Sequence, residues 1–190
     1  MYKILLVAAV GFCLLVSPAT SQAEDFRQYV KKAQQEYGAG DFIEVQRALR
    51  GAMMAISNEA PLSVHYFDPV TEEAPNFANI TVRKDNIYKS GEPILLYAEP
   101  MGYAFYHEND VLQFGFEADF ELIDAKGKIL GGQKEFQSWV VDSKAPTVDF
   151  FMNLTYTFTG LKPGKYTVRT TLHDLVDQDQ AWFEYDFLIR

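Results

Sequence analysis

The stretch GLKPGKYTVRTTLHDLVDQDQAWFEYDFLIR, residues 160–190, decides the fold. Its first half alternates: Val168 and Leu172 fall on one face, Arg169, Thr171 and His173 on the other. LVDQDQ (175–180) reads as a polar hairpin, and the chain then returns with Ala181, Phe183, Tyr185, Phe187 and Ile189 on one face. A period of two with one apolar face is the signature of a half-buried antiparallel strand. Trp182 is out of phase with that apolar face and is expected at the surface. His173 and Asp174 are sequence neighbours, so in a strand they point to opposite sides, which argues against a shared acid/base role.

The same period extends backwards. VLQFGFEADFELID (111–124) puts Phe114, Phe116, Ala118, Phe120 and Leu122 on one side and Gln113, Glu117, Asp119 and Glu121 on the other. TVDFFMNLTYTF (147–158) places Val148, Phe150, Met152, Leu154, Tyr156 and Phe158 inward. Further strands are expected at 62–67, 80–83, 93–98, 129–140 and 165–173, with Gly131-Gly132 as a bulge. About eight strands with no helical pattern between them predict a mainly β, two-layer antiparallel sandwich of immunoglobulin or fibronectin type III character.

Within the opening stretch, Leu161, Pro163, Gly164 and Tyr166 resemble the loop that leads into the sixth strand of fibronectin type III domains. There a tyrosine closes a corner by bonding backbone a few residues upstream. The resemblance implies structural roles for Pro163, Gly164 and Tyr166. More widely, YKSGEPILLYAEP (88–100), DAKGKIL (124–130), GLKPGKYTVRTTLHD (160–174) and FEYDFLI (183–189) resemble a group of exported bacterial proteins of unknown function. That likeness runs from about residue 76 to the C-terminus. It implies a β-sandwich outside the cytoplasm and brings no catalytic residues with it.

Upstream of the strands the period is helical. Phe26, Tyr29, Val30, Ala33 and Tyr37 make one stripe, GAG (38–40) interrupts it, and Asp41 with Glu44 has the spacing of a capping box. Phe42, Val45, Leu49, Ala52, Met53 and Ile56 make a second stripe, which Pro61 ends. Tyr37, Gly40-Asp41, Phe42 and Ala52 resemble a single tetratricopeptide-type hairpin, with no second copy at that period. A lone hairpin forms no concave groove. Its stripes are expected to pack on the β domain or on each other; the sharper reading is a docking surface for another exported protein.

The first 23 residues read as a secretory leader. Lys3 precedes a 13-residue apolar run from Ile4 to Val16, too short to span a bilayer, and cleavage is expected after Ala23. The division is therefore 1–23 leader, 24–58 helical hairpin and 59–190 sandwich, with a periodic expectation of periplasmic or secreted residence and no stable membrane span after cleavage. Cys13, the only cysteine, falls in the leader and follows Phe12, which does not suit lipid attachment. The formal charge is −9 for 190 residues, and loss of Lys3 makes it −10. Such a surface repels phosphate backbones, so nucleic acid is excluded as a partner.

Chemistry-bearing patterns are sparse. His65, His107 and His173 lack the short spacings of zinc ligands, and no metal or cofactor is expected. No Gly-x-Ser-x-Gly elbow or glycine-rich phosphate loop is present. Glu117 and Asp119, about 7 Å apart along a strand, allow a hydrolase reading. Asp174, Asp177 and Asp179 allow weak calcium binding, although the EF-hand spacing is absent. GYAFYHEND (102–110) carries Tyr103, Tyr106 and His107, which together with Trp182 form a candidate ligand-binding set for a carbohydrate or another small molecule. The alternative reading of this loop sends Tyr103 and Phe105 inward. A non-enzymatic envelope module that binds another envelope protein or a glycan is the functional expectation.

Overall fold

The computed structural model describes residues 26–190. The expected leader and its cleavage point lie outside the described residues. Two helices come first, α1 (Phe26–Ala39) and α2 (Phe42–Glu59). Nine strands follow: β1 (Ser63–Pro69), β2 (Ile87–Tyr88), β3 (Ile94–Met101), β4 (Tyr106–Glu108), β5 (Val111–Asp124), β6 (Ile129–Ser143), β7 (Met152–Tyr156), β8 (Gly164–Asp174) and β9 (Gln180–Ile189). The fold is mainly β: a helical hairpin precedes a sandwich of a three-stranded sheet, β1-β3-β7, and a six-stranded sheet. The larger sheet runs β2-β9-β8-β5, with β6 along one edge of β5 and β4 along the end of the other. No helix among the described residues is long and apolar enough to cross a membrane.

The alternating strands supply the core. Phe114, Phe116, Ala118 and Leu122 of β5, Val168 and Leu172 of β8, and Phe183, Tyr185 and Phe187 of β9 are buried against Ile94, Leu96, Met152, Leu154 and Tyr156 of the smaller sheet. Rings bridge the layers, as where Phe67 meets Phe183 at 4.6 Å and Phe116 stacks on Phe150 at 5.6 Å. One polar bond crosses the core: the hydroxyls of Tyr156 and Thr170 lie 2.6 Å apart, each otherwise cut off from water. Burial pushes the Tyr156 phenol above its ordinary pKa, so it stays a neutral partner.

Three expectations need correction. Residues 80–83 form no strand; a single bridge joins Val82 to Val70, inside a loop that covers the outer face of the smaller sheet. Asn153 clamps that loop by accepting from Ala74 N (2.9 Å) and donating to Ala74 O (3.0 Å). The sandwich is not purely antiparallel, because β2 runs parallel to β9 and closes an edge that would otherwise be open. The bulge expected at Gly131-Gly132 is displaced by one residue and joined by a second: the register slips at Leu130, beside Gly131, and again at Glu135, which has φ 51 and whose N–H donates to Asp119 Oδ1 at 2.8 Å.

The tyrosine corner is present. Tyr166 Oη donates to Lys162 O at 2.9 Å, and its ring stacks on Phe187 at 5.8 Å. Tyr166→Phe keeps the ring and loses only this bond. An unfolding free energy lower by about 1 kcal/mol is expected from urea titration, with no change in the circular dichroism of the native state.

Candidate functional site

The helical hairpin departs most from its sequence reading, and the candidate site follows from that departure. Asp41 caps α2, accepting from Glu44 N at 3.1 Å. The buried side of α2 is not its stripe of large apolar residues but Ala48, Gly51, Ala52 and Ala55. Small side chains let α1 approach closely: a Cβ on Gly51 would stand 2.3 Å from the Tyr29 ring. Of the stripe expected to pack inward, Ala52 does so and the large residues do not. Phe42, Leu49, Met53 and Ile56, spaced to share one face, remain at the surface.

The C-terminal end of that stripe borders the sandwich. Pro61 cannot continue the helix, Ala60 is extended, and Leu62 enters the core. Ser57 Oγ donates to Tyr103 O (3.0 Å) and Phe105 N donates to Asn58 Oδ1 (3.1 Å). Gly102, at φ 75, lies so close to the connector that a Cβ there would be 2.4 Å from Pro61 O. These contacts fix α2 beside the end of β3 and leave a groove of about 590 Å³. Met53 (46% exposed) and Ile56 (49%) form one side, and Phe77 (40%), Met101 (48%) and Phe150 contribute the rest. Among the described residues, the charged side chains lining it are two carboxylates, Glu99 and Asp149; His65 is the one ionisable base, and no Lys or Arg lines the groove.

The four residues expected to bind a ligand are not brought together. Tyr103 is 1% exposed and belongs to the core; its ring meets Phe114 at 4.8 Å and its hydroxyl donates to Thr147 O at 2.8 Å. It is no surface platform, because the chain continues inward through Tyr103 and Phe105. Tyr106 and His107 are exposed neighbours on β4, where Tyr106 joins Val140 and Leu175 around a notch of about 180 Å³. Trp182, 65% exposed on β9, is opposite Thr171, which is opposite Asp119. Tyr106 is opposite Gln113. Six residues of β5 separate the two positions, roughly 20 Å of strand.

The acidic residues of the 174–179 turn are bound to backbone. Asp174 is buried and accepts from Ala104 N (2.8 Å) and Val176 N (2.7 Å); burial is the main cause that raises its carboxyl pKa. Asp177 accepts from Asp179 N, and Asp179 accepts from Leu62 N. Asp174 and Asp179 thereby tie the turn to the distant segments at Ala104 and Leu62. Among the described residues no group of three or more His, Cys, Asp or Glu side chains is placed to hold a metal.

On the outer face of the larger sheet, His173 Nε2 lies 3.0 Å from Asp119 Oδ2, with Glu117 opposite His173. The next residue across, Ser138 on β6, is two strand spacings from His173, roughly 10 Å. The His173 ring takes Asp119 as its side-chain partner.

No sequence model of a known family matches the chain, and no curated protein does. Among solved structures it is similar to a conjugative transposon lipoprotein from Bacteroides eggerthii, at 14% identity over 67% of this chain and 96% of that one, with a TM-score of 0.34. It is also similar to the alkylpurine DNA glycosylase AlkC of Pseudomonas fluorescens, at 10% identity over 87% of this chain and 42% of that one, TM-score 0.35. A superoxide reductase (neelaredoxin) from Ignicoccus hospitalis matches at 10% identity over 67% and 82%, TM-score 0.31. Likenesses of this depth assign no family and no activity.

Proposed function

We propose that this chain is a non-enzymatic binding or assembly module of the cell envelope, exported by its leader, that seats an apolar, basic segment of another envelope protein beside α2. The observation that carries the reading is the uncovered apolar side of α2 running into the groove at Met53 and Ile56. Surface apolar residues are ordinary singly; a stripe joined to a groove marks an interaction surface. Helix α2 has 18 residues, about 27 Å of length, enough to support a peptide of several turns or an extended segment. The groove's carboxylates, Glu99 and Asp149, favour a partner that carries Lys or Arg next to its apolar residues. The leader pattern supports export to the periplasm or medium, and the acidic surface disfavours nucleic acid.

Selection of displayed random peptides on the purified protein tests this reading. Enriched peptides are expected to combine large apolar residues with Lys or Arg. Met53→Glu with Ile56→Glu is expected to weaken them at least about tenfold, a loss near 1.4 kcal/mol, while urea titration shows native stability. Enrichment of acidic peptides, or equal binding by the double variant, would refute it.

A further inference from the structure

The outer face of the six-stranded sheet holds a second, separate feature. Trp182 stands on β9 and is 65% exposed. The Arg169 guanidinium lies over that ring at 5.8 Å from its centroid. Arg169 is itself held in place by Glu184 (2.8 Å) and Glu121 (3.2 Å). Farther along β5, Asp119 is fixed by Glu135 N and His173. On β6, Gly132 is opposite Glu121 and brings no side chain to this face. Gly132 cannot carry a side chain without shift, since its Cβ would come 2.3 Å from Phe120 O. The result is an open cleft of about 700 Å³ that runs from Trp182 across β8 and β5 to β6.

We propose that this cleft binds a neutral pyranose glycan, with Trp182 as the stacking platform. An indole offers a flat apolar face for the C–H side of a sugar ring, and such rings stack on aromatics while their hydroxyls reach sideways. The polar groups beside the indole suit those hydroxyls. Asp119 and Glu121 accept, Arg169 donates, and Gln180 does both. Arg169 and Asp119 are already held by neighbours, so little ordering is needed on binding. From β9 to β6 is three strand spacings, about 14 Å, which exceeds one sugar ring and favours an oligosaccharide.

The lining also selects against other occupants. Asp119 and Glu121 balance Lys134 and Arg169, so the lining offers no net positive charge to a polyanion. A protein interface depletes charge at its centre, whereas this cleft is lined by Asp119, Glu121, Lys134 and Arg169. The narrower set replaces the one read from the sequence: Trp182 remains, and Tyr103, Tyr106 and His107 take no part.

The test is calorimetric and fluorescence titration of the protein with a panel of neutral oligosaccharides covering α- and β-linked glucose and β-linked N-acetylglucosamine. At least one is expected to bind. Trp182→Ala should weaken it about tenfold or more, and Trp182→Phe, which keeps a ring, should weaken it less. Met53→Glu with Ile56→Glu should leave it unchanged, which separates this cleft from the α2 groove. Trp182 is exposed, so its variants are expected to fold, and urea titration checks that they do. No binding by any member at millimolar concentration overturns the proposal, as does binding that survives Trp182→Ala.

Discussion

Gly102→Val is expected to lower the unfolding free energy by about 4 kcal/mol. Two costs combine. The backbone there has φ 75, a conformation that a β-branched residue adopts only under strain. The new Cβ would also fall 2.4 Å from Pro61 O, 3.0 Å from Pro61 C and 3.1 Å from Ala60 O. That backbone cannot retreat freely. Ser57 and Asn58 hold it to Tyr103 and Phe105 on one side, and Leu62 is anchored in the core on the other. Gly102 also lines the groove, so peptide binding should weaken in the same variant under conditions where it remains folded. A urea titration within about 1 kcal/mol of wild type would mean that α2 does not meet the sandwich in this way.

Phe116→Ala is expected to cost about 4 kcal/mol. The ring is fully buried, stacked on Phe150 at 5.6 Å and edge-on to Tyr103 at 5.3 Å. Those partners arrive from other segments of the chain, and they meet Phe116 only because two sheets enclose one core. Truncation would leave a cavity whose walls are aromatic rings too large to collapse into it. Its neighbour supplies the control. Glu117 points out of the same strand, so Glu117→Ala should change stability by no more than about 0.5 kcal/mol. Similar losses in the two variants, measured by the same denaturation, would contradict the register of β5.

Those two residues also show why the sandwich was legible. Strands β5, β8 and β9 each have a dry face and a wetter one, and a slip by one position would exchange them. In β9 the alternation runs unbroken from Ala181 to Ile189. Likewise, Tyr166 announced its corner through the Pro163-Gly164 turn before it. The short strands were not legible for the converse reason. Ile87–Tyr88 and Tyr106–Glu108 are too brief to show a period, and β2 exists because a free edge of β9 accepts it.

Ala33 of the α1 stripe and Ala52 of the α2 stripe are buried as read, but the large residues of the α2 stripe were read with the wrong side inward. Helix α2 carries two stripes of helical period, one small (Ala48, Gly51, Ala52, Ala55) and one large (Phe42, Leu49, Met53, Ile56). Period alone does not say which stripe the neighbouring helix covers. Close approach selected the small one, and the position of Gly51 against Tyr29 was the local clue. The groove was invisible for another reason. Met53, Phe77, Met101 and Phe150 come from four separate segments, and only the closed fold makes them neighbours. The ligand set proposed from aromatic residues failed at Tyr103 because an inward and an outward aromatic look alike where no long alternation frames them.

The central claim is that the α2 groove is where this protein takes its partner. Its most direct test is photo-crosslinking of a selected apolar, basic peptide to protein carrying a photoreactive side chain at one position at a time. The account predicts crosslinks from Ile56 and Met101, suppressed by excess unlabelled peptide, and none from Tyr106 or Trp182. Crosslinks confined to Tyr106 or Trp182, or none at Ile56 and Met101 under saturating peptide, would contradict it.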